Sequence, residues 1–504
     1  MSWLYFFAIF LFVGPLVACA DPDSGAVERA AGGCVECHAN LQAGFNEKHA
    51  FAPANCIACH AGDASAAAKD EAHAGLIAFP GNLENAAIAC GSCHADRVDS
   101  VTHSLMHTGR GIVRTTRAVL DGSAGPNHTQ NLQSLGHGVA DSMLRKQCAS
   151  CHLGQEKTAH GVNVTTDRGG GCLACHVNEH PEDAHPMLTA DVSDGSCFGC
   201  HSRSGRISLS YAGLAEVDES EMRLADGRAV GRLAADVHYA AGMSCTDCHD
   251  ADDVMGAAGD AMHQRDAVSA SCMDCHEPHA DDTNHTRLTC ATCHSQWAPQ
   301  CFGCHMEYDE DGEQWDHVDR QVTAGRWDDE SWDFRNTLPA LGVNARDRVD
   351  VFIPGMIMTV AHPTWDEDKF VRLFASLSPH TTGESRSCAS CHRSSQALGL
   401  GEGTIRIDSG ELVFEAASEL RGDRLPADAW TNVDNSLGGR APLPGQRPFT
   451  PQEMKRILEA DIQQDSWPAG GSGSISSSSS SVNTGGTNST SGRSGEPAPR
   501  SPTK

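Results

Sequence analysis

The chain opens on an uncharged apolar run. Residues 1–18, MSWLYFFAIFLFVGPLVA, are broken by Gly14 and Pro15 and fall short of the ~20 apolar residues that a membrane-spanning helix needs, so they read as a secretion signal. Further along, the pattern predicts short helices over Ala64–Ala74 and Ser134–Lys146. Arg348–Val360 reads as a strand, Thr404–Glu415 as a hairpin turning at Asp408-Ser409-Gly410, and Pro451–Ala460 as a helix capped by Thr450. Beyond Trp467 the chain is PAGGSGSISSSSSSVNTGGTNSTSG and then Pro-rich to Lys504, a composition that builds no core and predicts a disordered tail.

These elements are few for 504 residues, a length that would ordinarily make about three domains of ~150 residues. The chain has only 15 Phe, 8 Trp and 4 Tyr, too few large side chains to fill three ordinary cores, so something other than side chains must fill the interior. The net charge of −29 disfavours a polyanionic partner such as nucleic acid, which needs a Lys/Arg-rich face. There are 23 cysteines, and their spacing decides what they do.

All but one of them fall into eleven pairs separated by two residues, each followed at once by His. They are Cys34/Cys37/His38, Cys56/Cys59/His60, Cys90/Cys93/His94, Cys148/Cys151/His152, Cys172/Cys175/His176 and Cys197/Cys200/His201. Then follow Cys245/Cys248/His249, Cys272/Cys275/His276, Cys290/Cys293/His294, Cys301/Cys304/His305 and Cys388/Cys391/His392. C-x-x-C-H is the attachment signature of haem c: both thiols form thioethers with the porphyrin edge and the His is the proximal iron ligand. A zinc ribbon needs two such pairs per ion and no obligatory His, and a redox dithiol does not recur eleven times. The motifs therefore predict eleven covalent haems c, numbered here as sites 1–11 in chain order.

Each iron needs a sixth ligand, and sixteen of the 27 His remain after the motifs are set aside. The candidates are His49, His73, His107, His137, His160, His185, His238, His263, His279, His285 and His380. His49 and His238 each stand seven residues before a first motif Cys, which suggests a shared local loop, although the haem each serves need not be the nearest in sequence. His380, eight residues before Cys388, is expected at site 11 with His362 as the alternative. Met106, Met243 and Met262 are rival ligands that would raise the potential.

The unpaired Cys19 follows Leu16-Val17-Ala18, which resembles a bacterial lipobox, so Cys19 is the expected lipidation site and residues 19–33 an anchor and linker. Acyl chains at ~0.8 kcal/mol per buried CH₂ would make that anchoring stable. Ten motifs lie between residues 34 and 305, too dense for a conventional core. This array should be short α-helices and irregular loops wrapped around haems. Residues 306–467 carry six Trp and the eleventh motif and are expected to form a small β-containing module, followed by the tail at 468–504. Asp309, Asp311 and Glu313 in YDEDGE hint at Ca²⁺ but lack the twelve-residue ligand pattern and read as a solvated acidic face. Ser202–Arg206, SRSGR, offers two arginines to a haem propionate or to a substrate oxyanion.

The phrases VDSVTHSLMHTGRGIV, ADSMLRKQCASCHLGQEKT, RGGGCLACH, CFGCHSRSGRISLSY and QWAPQCFGCH resemble the large multihaem c-type cytochromes, often lipoproteins, of metal-respiring bacteria. Those of selenite/tellurite-reduction and extracellular-electron-transfer gene clusters are most similar. The resemblance covers roughly residues 30–460 and implies an electron carrier at the envelope of a Gram-negative bacterium, on the outer membrane facing the periplasm or the surface. Its partners would be redox proteins of the periplasm or outer membrane. The chain has no C-x-x-C-K motif, the active-site signature of pentahaem nitrite and octahaem tetrathionate reductases. With Tyr5 in the signal, only Tyr211, Tyr239 and Tyr308 remain for a tyrosyl–haem crosslink like that of hydroxylamine oxidoreductase. Two functions stay open: a conduit of saturated bis-His haems, and a terminal reductase of an oxyanion or small molecule at one open iron.

Overall fold

The computed structural model describes residues 32–38, 47–49, 55–158, 169–178, 185–203, 205–278, 285–329, 333–436, 441 and 443–462. All belong to one compact unit, Met1–Ile462; a second, Gln463–Lys504, lies outside them, as do the signal segment, Cys19 and the expected tail.

The first half is helical in short pieces: α1 (Gly91–His103), α2 (Arg110–Leu120) and α3 (Val139–Met143), the last continuing as a π-turn over Leu144–Cys148. The expected helix over 64–74 is one turn, Lys69–Ala72, stopped before Gly75, whose φ of +74° is left-handed. The helix expected over 134–146 starts only after Gly138, because Gly136 and Gly138 keep the preceding residues in loop.

Two small hairpins follow, β1 (Val177–Asn178) with β2 (Met187–Leu188) and β3 (Leu214–Glu216) with β4 (Val230–Arg232). The larger β-structure begins with β5 (Ala298–Phe302), which pairs antiparallel with β8 (Asp333–Thr337). A five-stranded sheet is built from β6 (Cys304–Asp316), β7 (Gln321–Asp329), β9 (Ala340–Val343), β10 (Val349–Ala361) and β11 (Lys369–Ser376). Its order is β11-β10-β6-β7, with β10 parallel to β6 and β9 on the far end of β10. The hairpin β12 (Gly403–Asp408) and β13 (Glu411–Ala416) turns through Ser409 and Gly410, both at positive φ, the backbone a two-residue turn requires. The final helix α4 (Pro451–Glu459) opens on a capping box in which Thr450 and Glu453 satisfy each other's backbone amides. The strand, hairpin and capped helix expected from the sequence thus lie within a residue or two of their expected bounds.

The boundary expected after His305 falls inside β6, and the sheet is not a separate module. One core cluster joins Leu120 of α2 and Ala140 and Met143 of α3 to Met306, Trp327, Val360 and Leu373 of the sheet. Arg145 ion-pairs with Asp316 (2.7 Å) and Asp319 (2.5 Å), its side chain and that of Asp316 being 4% and 3% exposed. Lys146 donates to the carbonyls of Thr323, Ala324 and Gly325 at the start of β7. Burying two cations side by side is tolerated only because carboxylates and carbonyls surround them. The acidic stretch that looked solvated is therefore partly consumed: Asp316 anchors the helical half, while Asp309 pairs with Arg326 (3.0 Å) on the exposed hairpin. Among the described residues no group of three His, Cys, Asp or Glu side chains is placed to hold a metal ion by itself, and no helix is long and apolar enough to cross a membrane.

Candidate haem-binding sites

Ten of the eleven motifs fold on helical turns, most of them one-turn α- or 3₁₀-helices, with site 3 at the start of α1 and site 6 at the end of an eight-residue helix. At sites 1, 2 and 8, for example, the His amide donates to the carbonyl of the first Cys at 2.9, 3.0 and 2.9 Å. Residues at i, i+3 and i+4 of a helical turn share one face, so both sulfurs and the imidazole are presented together. Site 10 differs. Cys301 lies in β5, one residue before its end, Gly303 turns at φ +81°, and Cys304 and His305 enter β6 opposite Met358 and Thr359 of β10.

Twenty-one of the motif cysteines are half-buried or exposed, none of them sealed in the interior. Among these, the second cysteines of sites 1, 4 and 6 stay close to their own motifs. Cys37 is exposed and neighbours Cys34 electrostatically. Cys151 is half-buried, beside Cys148, with its sulfur 3.8 Å from the hydroxyl of Ser150. Cys200 is half-buried in its helical turn, its carbonyl accepting from the amide of Arg203 (3.0 Å). A thiol at the end of a one-turn helix keeps its sulfur at the surface of the turn, where a porphyrin edge could reach it. The remaining motif cysteine, Cys93, is disulfide-bonded, and a thioether there would need that bond reduced first.

Seven motif histidines face a second histidine, and in every case the partner is one of the candidates read from the sequence. The ring-centre separations are 6.0 Å for His38–His73, 6.3 Å for His94–His49, 5.9 Å for His60–His185 and 5.3 Å for His152–His107. They are 6.0 Å for His276–His238, 6.1 Å for His249–His380 and 6.2 Å for His392–His285. Two imidazoles sharing a metal at about 2.0–2.1 Å per bond, with ring centres about 1.1 Å further out, stand about 6.3 Å apart. Each pair therefore has the spacing at which both imidazoles would hold one haem iron between them. At site 4 the amide nitrogen of Gln133 lies between the rings, 2.7 Å from Nε2 of His107 and 2.8 Å from Nε2 of His152, so both ring nitrogens address one point.

The Nδ1 atoms show which nitrogen is offered. His60 donates to the carbonyl of Ile77 (2.7 Å), His176 to Thr189 (3.0 Å), His185 to Pro186 (2.8 Å) and His294 to Gly383 (2.9 Å). His380 donates to Ser378 (2.9 Å) and His392 to Ile457 (2.7 Å). His238 and His249 donate instead to the carboxylates of Asp236 (2.8 Å) and Asp253 (3.1 Å). A proton held on Nδ1 leaves the Nε2 lone pair free for a metal. Burial pushes His107 and His152 down to about 4, which keeps both rings neutral.

His49 and His238 share more than their spacing. Each precedes one motif by seven residues but faces the His of the next one, His94 and His276. His380 faces His249 of site 7, whereas His392 of site 11 faces His285, correcting the expected partner of site 11. The alternative, His362, is stacked on Tyr308 at 4.7 Å, between Trp327 and Trp365. Among the described residues His137 and His263 face no motif His, and His176 and His305 face no second His, while His201 lies in the field of His380 and His249; His160 and His279 lie outside the described residues. The arginines of SRSGR are engaged by the β3–β4 hairpin: Arg203 pairs with Asp226 (3.0 Å) and Arg206 with Glu216 (2.7 Å). Neither propionate nor substrate is needed to balance them.

Thiols of different motifs neighbour one another in a consistent order. Cys34 is perturbed by Cys56, and the same holds for Cys90 by Cys172, Cys245 by Cys197 and Cys272 by Cys290. Close electrostatic neighbours are Cys59 and Cys90, Cys175 and Cys197, and Cys248 and Cys275. The sites thus run 1-2-3-5-6-7-8-9. Site 11 adjoins site 9, since Arg386 donates to the carbonyl of Cys293 (2.8 Å) and Ala291 and Cys391 pack on one core cluster. Site 4 lies beside the line, its Leu153 packed with Cys172 of site 5.

Sequence reasoning missed Asp236, Asp253 and Gln133. The two aspartates were visible as Asp-x-His and His-x-x-x-Asp spacings, whereas nothing in the sequence pointed to Gln133.

Residues 232–295, which carry sites 7, 8 and 9 together with His238, match the family of cytochrome c7 and related cytochrome c. This segment is cytochrome c7-like. The match supports a multihaem c-type cytochrome that holds haem c covalently and transfers electrons. The comparisons with curated proteins and with solved structures found no match.

Proposed function

We propose that the chain is an electron conduit of eleven covalent haems c, mainly bis-His, at the bacterial cell envelope. It would form part of a respiratory pathway to an external or periplasmic acceptor. The observation that carries this reading is the set of seven His–His pairs at 5.3–6.3 Å. A haem supplies one-electron chemistry when bound, and two nitrogen ligands saturate its iron. What this chain does is fix geometry. The motif turns would hold the sulfurs and one imidazole, the carbonyls and carboxylates on Nδ1 hold the orientation of the rings they bond, and the neighbouring motifs would bring haems into sequence along 1-2-3-5-6-7-8-9, with site 11 joined to site 9 through Arg386 and Cys293. Reduction and reoxidation then need no movement of the protein.

For haem 3 the reading requires Cys93 as a thiol, and for haem 10 it requires the extended motif to be wrapped before β6 forms. Lipidation at Cys19 would tether the chain to the outer membrane, and its acidic surface would favour redox partners with basic or neutral docking faces.

A pyridine haemochrome assay with intact mass should agree on eleven haems; nine or fewer would sink the stoichiometry. Labelling with radioactive palmitate, abolished in Cys19→Ala, tests the anchor. The reductase reading has one observation in its favour, His305, whose motif alone is extended and whose ring faces no His among the described residues. A high-spin ferric signal in low-temperature EPR of the oxidised protein would support that reading; eleven low-spin signals would exclude it.

A further inference from the structure

Of the paired rings whose Nδ1 partner is described, His238 and His249 alone donate to carboxylates; His60, His185, His380 and His392 use neutral carbonyls. Both carboxylates are buried, with side chains 3% exposed. Both are also locked in place. Asp236 accepts from the amides of His238 (2.9 Å) and Thr382 (2.6 Å). Asp253 accepts from the amide and hydroxyl of Ser269 (both 2.6 Å) and the amide of Ala270 (3.3 Å). Among the described residues neither has a Lys or Arg ion-pair partner, so its charge is not cancelled.

A carboxylate draws the Nδ1 proton toward itself more strongly than a carbonyl does, giving the ring imidazolate character and making Nε2 the stronger donor. A buried, unneutralised anion also favours whichever oxidation state of a nearby metal carries more positive charge. Both effects stabilise ferric over ferrous iron. The two sites concerned, 7 (His249/His380) and 8 (His276/His238), are neighbours through Cys248 and Cys275. The field of Asp236 reaches His380 as well, so one carboxylate acts on both.

We propose that Asp236 and Asp253 are positioning residues that make sites 7 and 8 the lowest-potential pair of the array. This rests on the haem reading above. On the contact order, the pair lies between sites 1–6 and sites 9 and 11. Electrons entering a partly reduced chain would fill the haems on either side first, and sites 7 and 8 would pass current while storing none. The array would then hold two reservoirs joined by a step.

The test uses the full-length holoprotein and its Asp236→Asn and Asp253→Asn variants. Redox titration followed by visible absorption and by EPR gives the potentials of the components. Each variant should raise the lowest-potential component by about tenfold in its reduction equilibrium, 59 mV for one electron, at unchanged haem number. Asp253→Glu, which keeps the charge, should restore most of the shift. An unmoved lowest component in a variant with all its haems overturns the inference, as does an equal shift of every component. The two variants act on different rings, so one that fails to fold leaves the other to decide. Haem loss in both would make the aspartates structural and overturn tuning. Absence of haem from the unmodified 232–295 segment, read by peptide mass, would instead overturn the haem reading itself.

Discussion

His392 and Ile457 are 65 residues apart in sequence and joined by a 2.7 Å hydrogen bond, the imidazole Nδ1 donating to a carbonyl in the last turn of α4. The last four carbonyls of a helix have no partner within it. Here Ile457 serves the His of site 11, and the neighbouring Arg393 takes the carbonyls of Leu458 (2.6 Å) and Ala460 (3.3 Å). The orientation of one proposed iron ligand therefore depends on the stability of a nine-residue helix.

That dependence gives a pH prediction. The Arg447 guanidinium, with help from the amide and hydroxyl of Thr450, holds the carboxyl of Glu453 down to about 2, from an ordinary value of 4.5. A depressed folded value means that the contribution to stability is complete above about 4.5 and is lost as the pH falls from there toward about 2. The spectrum of haem 11 should therefore change across this acid window, seen by absorption with the other haems as internal reference. Glu453→Gln should remove most of that dependence and lower the stability of α4 at neutral pH.

Ligand exchange separates the pairings of the structure from those of sequence proximity. His285→Ala should turn site 11 high-spin and His380→Ala should do the same at site 7, each producing one high-spin ferric signal. Tryptic haem-peptide mapping of ligand-accessible haems, after trapping with cyanide, would tell which site opened. If His380→Ala opened site 11, the expectation from its position eight residues before Cys388 would stand and the 6.1 Å pairing with His249 would fall.

The difference between these two assignments shows where the sequence was legible. The sulfurs and proximal ligands are local, written as C-x-x-C-H, and ten of those motifs fold as the helical turn that local chemistry favours. That seven of the candidate histidines would each lie opposite a motif His was also legible as a set, because bis-His ligation would demand such donors and the chain carries few others. Their partners were not, since His285 and His380 reach their sites by tertiary folding. The same limit applies to the domain boundary. Six Trp from residue 315 onward and a gap in the motifs marked a change of composition, but Met306 and Trp327 complete a core begun by Leu120 and Met143. Site 10 shows the reverse case: the motif favours a turn, and strand pairing with β8 and β10 holds it extended.

The buried ion pair that ties the halves together should be costly to break. Arg145→Met would leave Asp316 as an uncompensated buried charge, a loss of about 3–5 kcal/mol. The double variant Arg145→Met/Asp316→Leu should lose less than the single one. Denaturant unfolding followed by far-UV circular dichroism checks both; equal losses in the two variants would show that packing, and not the stranded carboxylate, carries the cost.

Truncation after residue 310 tests whether the haem array stands alone. It would cut β6 in half and remove Asp316 and Asp319 from Arg145, the β7 carbonyls from Lys146, and His380 from His249. It would also remove Gly383, whose carbonyl holds His294, and motif 11. A self-contained array would keep ten haems with their ligation intact. The contacts predict otherwise: the truncated chain should show a high-spin signal from site 7 and a lowered unfolding midpoint even where all ten haems are attached. Adding back His380 within a short segment, residues 376–386, as a synthetic peptide should restore low-spin ligation in part if the loss is one of ligand alone. If EPR of the truncated chain shows no high-spin haem, the sheet is not needed for ligation at site 7.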